Sequence, residues 1–154
     1  MTVEDIPAVD ALEQSLFPDD AWPLQMFYDE LAQTATRHYV VAEINSVVVG
    51  YAGLMCIEPI ADVQTIAVAS EYEGQGIGSS LLTLLINEAI SRRAKDLLLE
   101  VRADNPRAQA IYTRFGFEQI DIRKKYYRGG MDAIIMRLEL DKPAQSTNHQ
   151  GAQQ

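Results

Sequence analysis

The chain has 154 residues, enough for one domain with a proper hydrophobic core, and its 47% apolar and 23% charged content is that of a soluble globular protein. A formal charge of −9, from 22 acidic and 13 basic residues, argues against a nucleic-acid partner and leaves room for a cationic substrate. No apolar run reaches membrane-span length, the N-terminus lacks a signal pattern, the single Cys56 fits a reducing, cytoplasmic setting, and His38 and His149 cannot assemble a Cys/His metal cluster, so no membrane, disulfide or metal role is expected.

Thr2, Glu4 and Asp5 read as a helix start, with a hydroxyl cap and early acids. Ile6, Val9, Leu12, Leu16 and Phe17 supply one apolar helical face, and Pro18 stops it. Pro23 opens a second helix with Met26, Phe27 and Leu31 as its buried side. Residues 39–44 and 47–57, joined by Asn45-Ser46, read as a hairpin. The second strand is almost wholly apolar and therefore central, which makes Cys56 a buried thiol rather than a nucleophile. Glu58-Pro59 ends it, and another strand is expected over 63–68.

Next comes Glu73-Gly74-Gln75-Gly76-Ile77-Gly78-Ser79-Ser80, ahead of a helix whose apolar face is Leu81, Leu82, Leu85, Ile86, Ala89 and Ile90. Strand, glycine loop and helix in that order make an anion site: glycines admit close approach, and the helix start offers unpaired N–H groups at the positive end of a dipole. Ser79-Ser80 carries no lysine, so a Walker loop is excluded. A dinucleotide fingerprint finds Leu81 where its third glycine belongs, although Glu100 could imitate the ribose-binding acid. A pyrophosphate loop for a coenzyme A ligand is the other reading, and the loop alone does not choose between the two.

The chain then gives a strand over 96–102, a helix opened by Asn105-Pro106 and closed by Gly116, a strand over 118–124, a glycine-containing loop over 126–130 and a strand over 134–140. Residues 1–140 are expected to form a single domain, and 141–154 a polar, Gln-rich tail with little to bury, expected to be disordered.

Ile66-Ala67-Val68, Gly76-Ile77-Gly78, Leu99-Glu100-Val101-Arg102, Asn105, Ala110-Ile111-Tyr112, Gly116-Phe117, Tyr126-Tyr127 and 132–136 together resemble the GCN5-related N-acetyltransferases. Within that superfamily the pattern is similar to the bacterial ribosomal-protein alanine N-acetyltransferases, which acetylate the N-terminal alanine of the eighteenth small-subunit ribosomal protein. The resemblance implies an α/β fold whose mixed central sheet is splayed in the middle, with helices on both faces. It implies acetyl-CoA as co-substrate and the N-terminus of a small-subunit ribosomal protein as partner. Ile66, Ala67 and Val68 would present a strand edge to the thioester arm. Gly74, Gln75, Gly76, Ile77, Gly78 and Ser79 would wrap the pyrophosphate, and Asn105 would hydrogen-bond the cofactor. Pattern alone reads Glu100 as a solvent-facing strand-end acid and Tyr112 as a core aromatic; the resemblance makes them the base and the acid. Arg107 and Arg114 are candidates for the outer phosphate or plain surface charges.

Two departures stand out. Glu73 occupies a place where Gln or Arg is usual, and it is expected to turn outward. Met1 falls almost at the first helix cap, where relatives carry a short strand, so either the strand is absent or the start lies upstream. The competing readings are an acetyltransferase for lysine or a small amine, a non-catalytic CoA- or nucleotide-binding module, and a dinucleotide-dependent enzyme.

Overall fold

The computed structural model describes residues 1–141. The tail expected over 141–154 lies outside the described residues except for Asp141. Among the described residues no strand precedes the first helix. The Thr2 N–H donates to Asp5 Oδ2 at 2.8 Å, one 3-10 turn follows, and α1 runs Ile6–Leu16. Ile6 and Val9 are fully buried, with Leu12 and Leu16 beside them. Phe17 does not share that face. It stands at the C-cap with φ −129°, where the chain has left the helix, and is exposed. The second helix, α2, spans Leu24–Ala32 after Pro23. Its Phe27 is fully buried between Trp22, with ring centroids 5.3 Å apart, and the edge of Tyr51 at 6.1 Å.

The strands are β1 Arg37–Ile44, β2 Val47–Ile57, β3 Ile60–Val68, β4 Asp96–Arg102, β5 Glu118–Arg123 and β6 Ala133–Glu139. They form one mixed sheet in the order β1-β2-β3-β4-β6-β5. Asn45 and Ser46 both take positive φ, the mirror-image turn that suits a two-residue hairpin. Alternation along β2 sends Tyr51 to one face, against α1 and α2, and Ala52 and Leu54 to the other. That second face carries α3, Ile77–Ser91, through Leu81, Leu82, Leu85 and Ala89, and α4, Pro106–Arg114, through Ala108 and Tyr112. Ile90, expected on the buried face, is exposed: it stands about 100° round the helix from Ala89. At Gly53 only a glycine fits, because a Cβ would come within 2.2 Å of the Tyr39 ring.

The sheet is splayed where β3 meets β4. These two parallel strands pair only at Ile60–Asp96, Ala61–Leu97 and Asp62–Leu98. Beyond that, β3 stays with β2 and β4 stays with β6, and the halves part. A register break supplies the cause. Gly53 faces Thr65 and Leu54 faces Val63, leaving Gln64 as an extra residue that bends β3. The strand expected over 63–68 therefore starts three residues earlier, at Ile60, and those three residues join the two halves.

One buried carboxylate ties the first helix to the sheet. Glu13 is 3% exposed; it accepts the Tyr51 hydroxyl on Oε2 and the Trp22 N–H on Oε1 at 3.1 Å. Burial, then this hydrogen bond, raises the Tyr51 pKa well above the usual phenol range, so its proton stays in place. Glu13→Ala should orphan both donors and lower stability by about 2–4 kcal/mol, read as a fall in the urea midpoint. An unchanged midpoint would mean that Tyr51 and Trp22 find other acceptors.

Candidate active site

The glycine loop is built as a cradle. Gly74 and Gly76 have φ of +77° and +82°, the left-handed region that side chains resist. Gly76 caps α3 without any side-chain bond, and the first intrahelical bond runs from Ser80 N to Gly76 O at 3.0 Å. The N–H groups of Ile77, Gly78 and Ser79 therefore lack intrahelical acceptors at the positive end of a 15-residue helix. A Cβ on Gly76 would meet nothing within 4 Å, so the space over the loop is open. Donor set and space both fit a pyrophosphate. Beside the loop, Ile66, Ala67 and Val68 lie beyond the last residue that pairs β3 with β4, and among the described residues no strand covers their β4 side. That bare edge fits an extended amide-bearing arm.

Glu73 does not simply turn outward. Its Oε2 accepts from Arg107 Nη1 at 2.8 Å, with both side chains about half exposed. Arg107 Nη2 lies 3.6 Å from where a Cβ on Gly74 would stand. The pair adds little to stability, but it cancels a carboxylate that would oppose an anion in the loop and keeps a cation at its rim. Arg114 lies in the last turn of α4, about 10 Å along the axis, where it complements the helix dipole. Asn105 Oδ1 accepts from Ala108 N at 3.1 Å, so its oxygen caps α4.

Glu100 and Tyr112 lie on opposite sides of β4. Leu97, Leu99 and Val101 face α3 and α4; Leu98, Glu100 and Arg102 alternate onto the α1–α2 face. Glu100 Oε1 pairs with Arg123 Nη1 at 2.9 Å, and the Arg123 guanidinium lies 5.4 Å from the Tyr126 ring centre. A hydrogen bond to Glu100, then its charge, raises the Tyr126 pKa. Tyr127 is pushed up to about 12, first by burial and then by Glu100. Tyr112, on α4, is also pushed up to about 12, by burial and by Tyr127. Its ring meets the Phe117 ring edge-on at 5.8 Å.

Sequence reasoning missed the frame around Glu100. Asp20, between α1 and α2, bonds Arg102 Nη1 at 3.1 Å, and the Arg102 guanidinium lies 5.0 Å from the Tyr127 ring centre. The loop after α1, the end of β4 and the loop before β6 are thus fastened together on the Glu100 side. Tyr126-Tyr127 and Arg102 were visible as motif residues, but nothing local announces their pairing with Asp20 or Arg123.

The splayed α/β sheet, with an open glycine loop at the head of one helix beside the gap, is the architecture of the acetyltransferase class. The acetyltransferase (GNAT) family model matches residues 6–117, and the chain belongs to that family. It is 35% identical over 143 residues to the ribosomal protein bS18-alanine N-acetyltransferase of Escherichia coli K12, covering 88% of this chain and 92% of that one. It is 39% identical over 150 residues to the N-alpha-acetyltransferase RimI of Mycobacterium tuberculosis, covering 94% and 92%. The crystal structure of the ribosomal-protein-S18-alanine N-acetyltransferase from Escherichia coli superposes with a TM-score of 0.82 at 31% identity, over 95% of this chain and 94% of that one. Ard1 from Thermoplasma volcanium, at 21% identity and a TM-score of 0.84 over 92% and 95%, shares the fold.

Proposed function

We propose that the chain is a cytoplasmic N-α-acetyltransferase that takes its acetyl group from acetyl-CoA and acts on the N-terminal alanine of a small-subunit ribosomal protein. When bound, acetyl-CoA supplies the acetyl group as a thioester. Gly74, Gln75, Gly76, Ile77, Gly78 and Ser79 hold its pyrophosphate, Arg107 an outer phosphate, and Ile66, Ala67 and Val68 its arm. The Asn105 amide, its oxygen committed to the cap, has N–H groups left to donate. A free α-amine has a pKa of about 7.7–8.0 and is largely protonated at neutral pH, so it needs a base before it can attack. Glu100 takes that proton, directly or through water. Tyr112 offers a proton to the departing sulfur. No acetylated side chain is needed, since Cys56 is buried and outside this arrangement.

The observation that supports this reading most is Glu100 itself, an exposed carboxylate on β4 past the last β3–β4 pair, beside the gap in the sheet and on the face opposite the tyrosine. The test is mass spectrometry of a panel of N-terminal peptides incubated with enzyme and acetyl-CoA. An alanine-starting peptide with a cation close behind should dominate. A lysine ε-amine, at about 10.4, is over two units harder to deprotonate, so an N-blocked, lysine-bearing analogue should react far more slowly. Equal acetylation of both would put the lysine or small-amine reading first. Gly76→Val should weaken acetyl-CoA by tenfold or more, about 1.4 kcal/mol, with the fold retained. Unchanged affinity by calorimetry would remove the phosphate role of the loop.

A further inference from the structure

Asp62 is the last residue of β3 to pair with β4, at the point where the sheet opens. Its pair is Leu98, so its side chain shares the face of Leu98 and Glu100; its neighbour Ala61 packs on the opposite, α3 side. Glu100 is two residues further along β4, about 6.6 Å, within reach of side chains across a gap. Asp62 is partly buried, yet no hydrogen bond or ion pair engages its carboxylate among the described residues, whereas Glu100 has Arg123. One negative charge beside the gap is thus unmatched. A desolvated carboxylate beside a second carboxylate is costly, and a cation placed between them would relieve it. Burial first, and the Glu100 charge second, raise the Asp62 pKa, in line with this placement.

We infer that Asp62 receives the ammonium form of the incoming α-amine and holds the substrate's N-terminus beside Glu100. The inference rests on the reading of the site as an N-α-acetyltransferase. An α-ammonium brings one positive charge and N–H donors, and it is the main form of the substrate at neutral pH. Acetylation turns that ammonium into a neutral amide. Asp62 therefore favours substrate over product, so the group that gathers the peptide also lets it go.

The experiment compares an alanine-starting peptide with its N-acetylated form, by calorimetry at pH 6.5 and in steady-state turnover, on wild type, Asp62→Asn and Asp62→Glu. The wild type should bind the free-amine peptide at least tenfold more tightly than the acetylated one. Asp62→Asn should lose that preference and raise the peptide KM about tenfold, leaving the acetyl-CoA KM unchanged and kcat less affected. Asp62→Glu should restore much of the preference, which a purely structural role would not predict. Equal binding of the two peptides by wild type overturns the inference whatever the variants do. So does a wild type that acetylates the peptide while Asp62→Asn keeps both its KM and its discrimination. A wild type that acetylates no peptide N-terminus overturns the proposed function, and the inference with it.

Discussion

Glu100→Gln is expected to lower kcat on an alanine-starting peptide by about 10²–10⁴-fold while the melting temperature and acetyl-CoA affinity hold. The substitution keeps shape and removes the base. Little stability is at stake, because Glu100 packs into no core cluster and its ion pair with Arg123 at 2.9 Å joins two partly exposed side chains. The residual rate carries a second signature. Without a base, only amine that is already neutral can attack, so the variant's kcat/KM should gain about tenfold per pH unit until the free α-amine's pKa of about 7.7–8.0 is reached. The wild type should rise less steeply over that range. Full activity in the variant, or identical pH profiles, would remove Glu100 from the proton path.

What the sequence displays well is what short-range chemistry sets. The Asn45-Ser46 turn and the Asn105-Pro106 start of α4 are local, and both are found where the residues place them; at Thr2 the Asp5 carboxylate, rather than the expected hydroxyl, accepts the capping bond, from the Thr2 N–H. The splayed α/β sheet came from resemblance, since no residue pattern spells out where two strands part. Its cause, the extra Gln64 opposite the Gly53–Leu54 step, is a pairing between strands and leaves no mark within either one. Pro59 hid the beginning of β3, and with it Asp62. The ion pairs Asp20–Arg102, Glu73–Arg107 and Glu100–Arg123 join residues 82, 34 and 23 positions apart. Charge at each position was legible; partners were not. Ile90 and Phe17 show the other limit. An apolar residue at the end of a helix satisfies the periodic pattern whether or not the chain still has a surface to bury it against.

Tyr112→Phe is expected to slow turnover by about 10²-fold and to leave acetyl-CoA binding and the fold unchanged. Phenylalanine keeps the ring that packs against Phe117 and removes only the hydroxyl, which makes no hydrogen bond among the described residues. The size of the effect follows from the acidity. Tyr112 is pushed up to about 12, whereas an ordinary thiol sits at about 8.5, so complete transfer of the proton to a solvated thiolate would be uphill by roughly 5 kcal/mol. The hydroxyl therefore helps most as a donor to sulfur while charge is still developing in the cleft, which places the loss toward the lower end of general acid catalysis. The same raised pKa keeps the phenol protonated up to about pH 10 and beyond, so no alkaline decline below that pH should vanish in the variant. A decline with an apparent pKa near 9 that Tyr112→Phe abolished would mean a phenol far more acidic than its burial implies. Glu100→Gln and Tyr112→Phe serve one reaction, so the double variant should lose less than the product of the two single losses. Independent, fully multiplicative losses, or a Tyr112→Phe enzyme as fast as wild type, would take the tyrosine out of the chemistry and leave it a core aromatic.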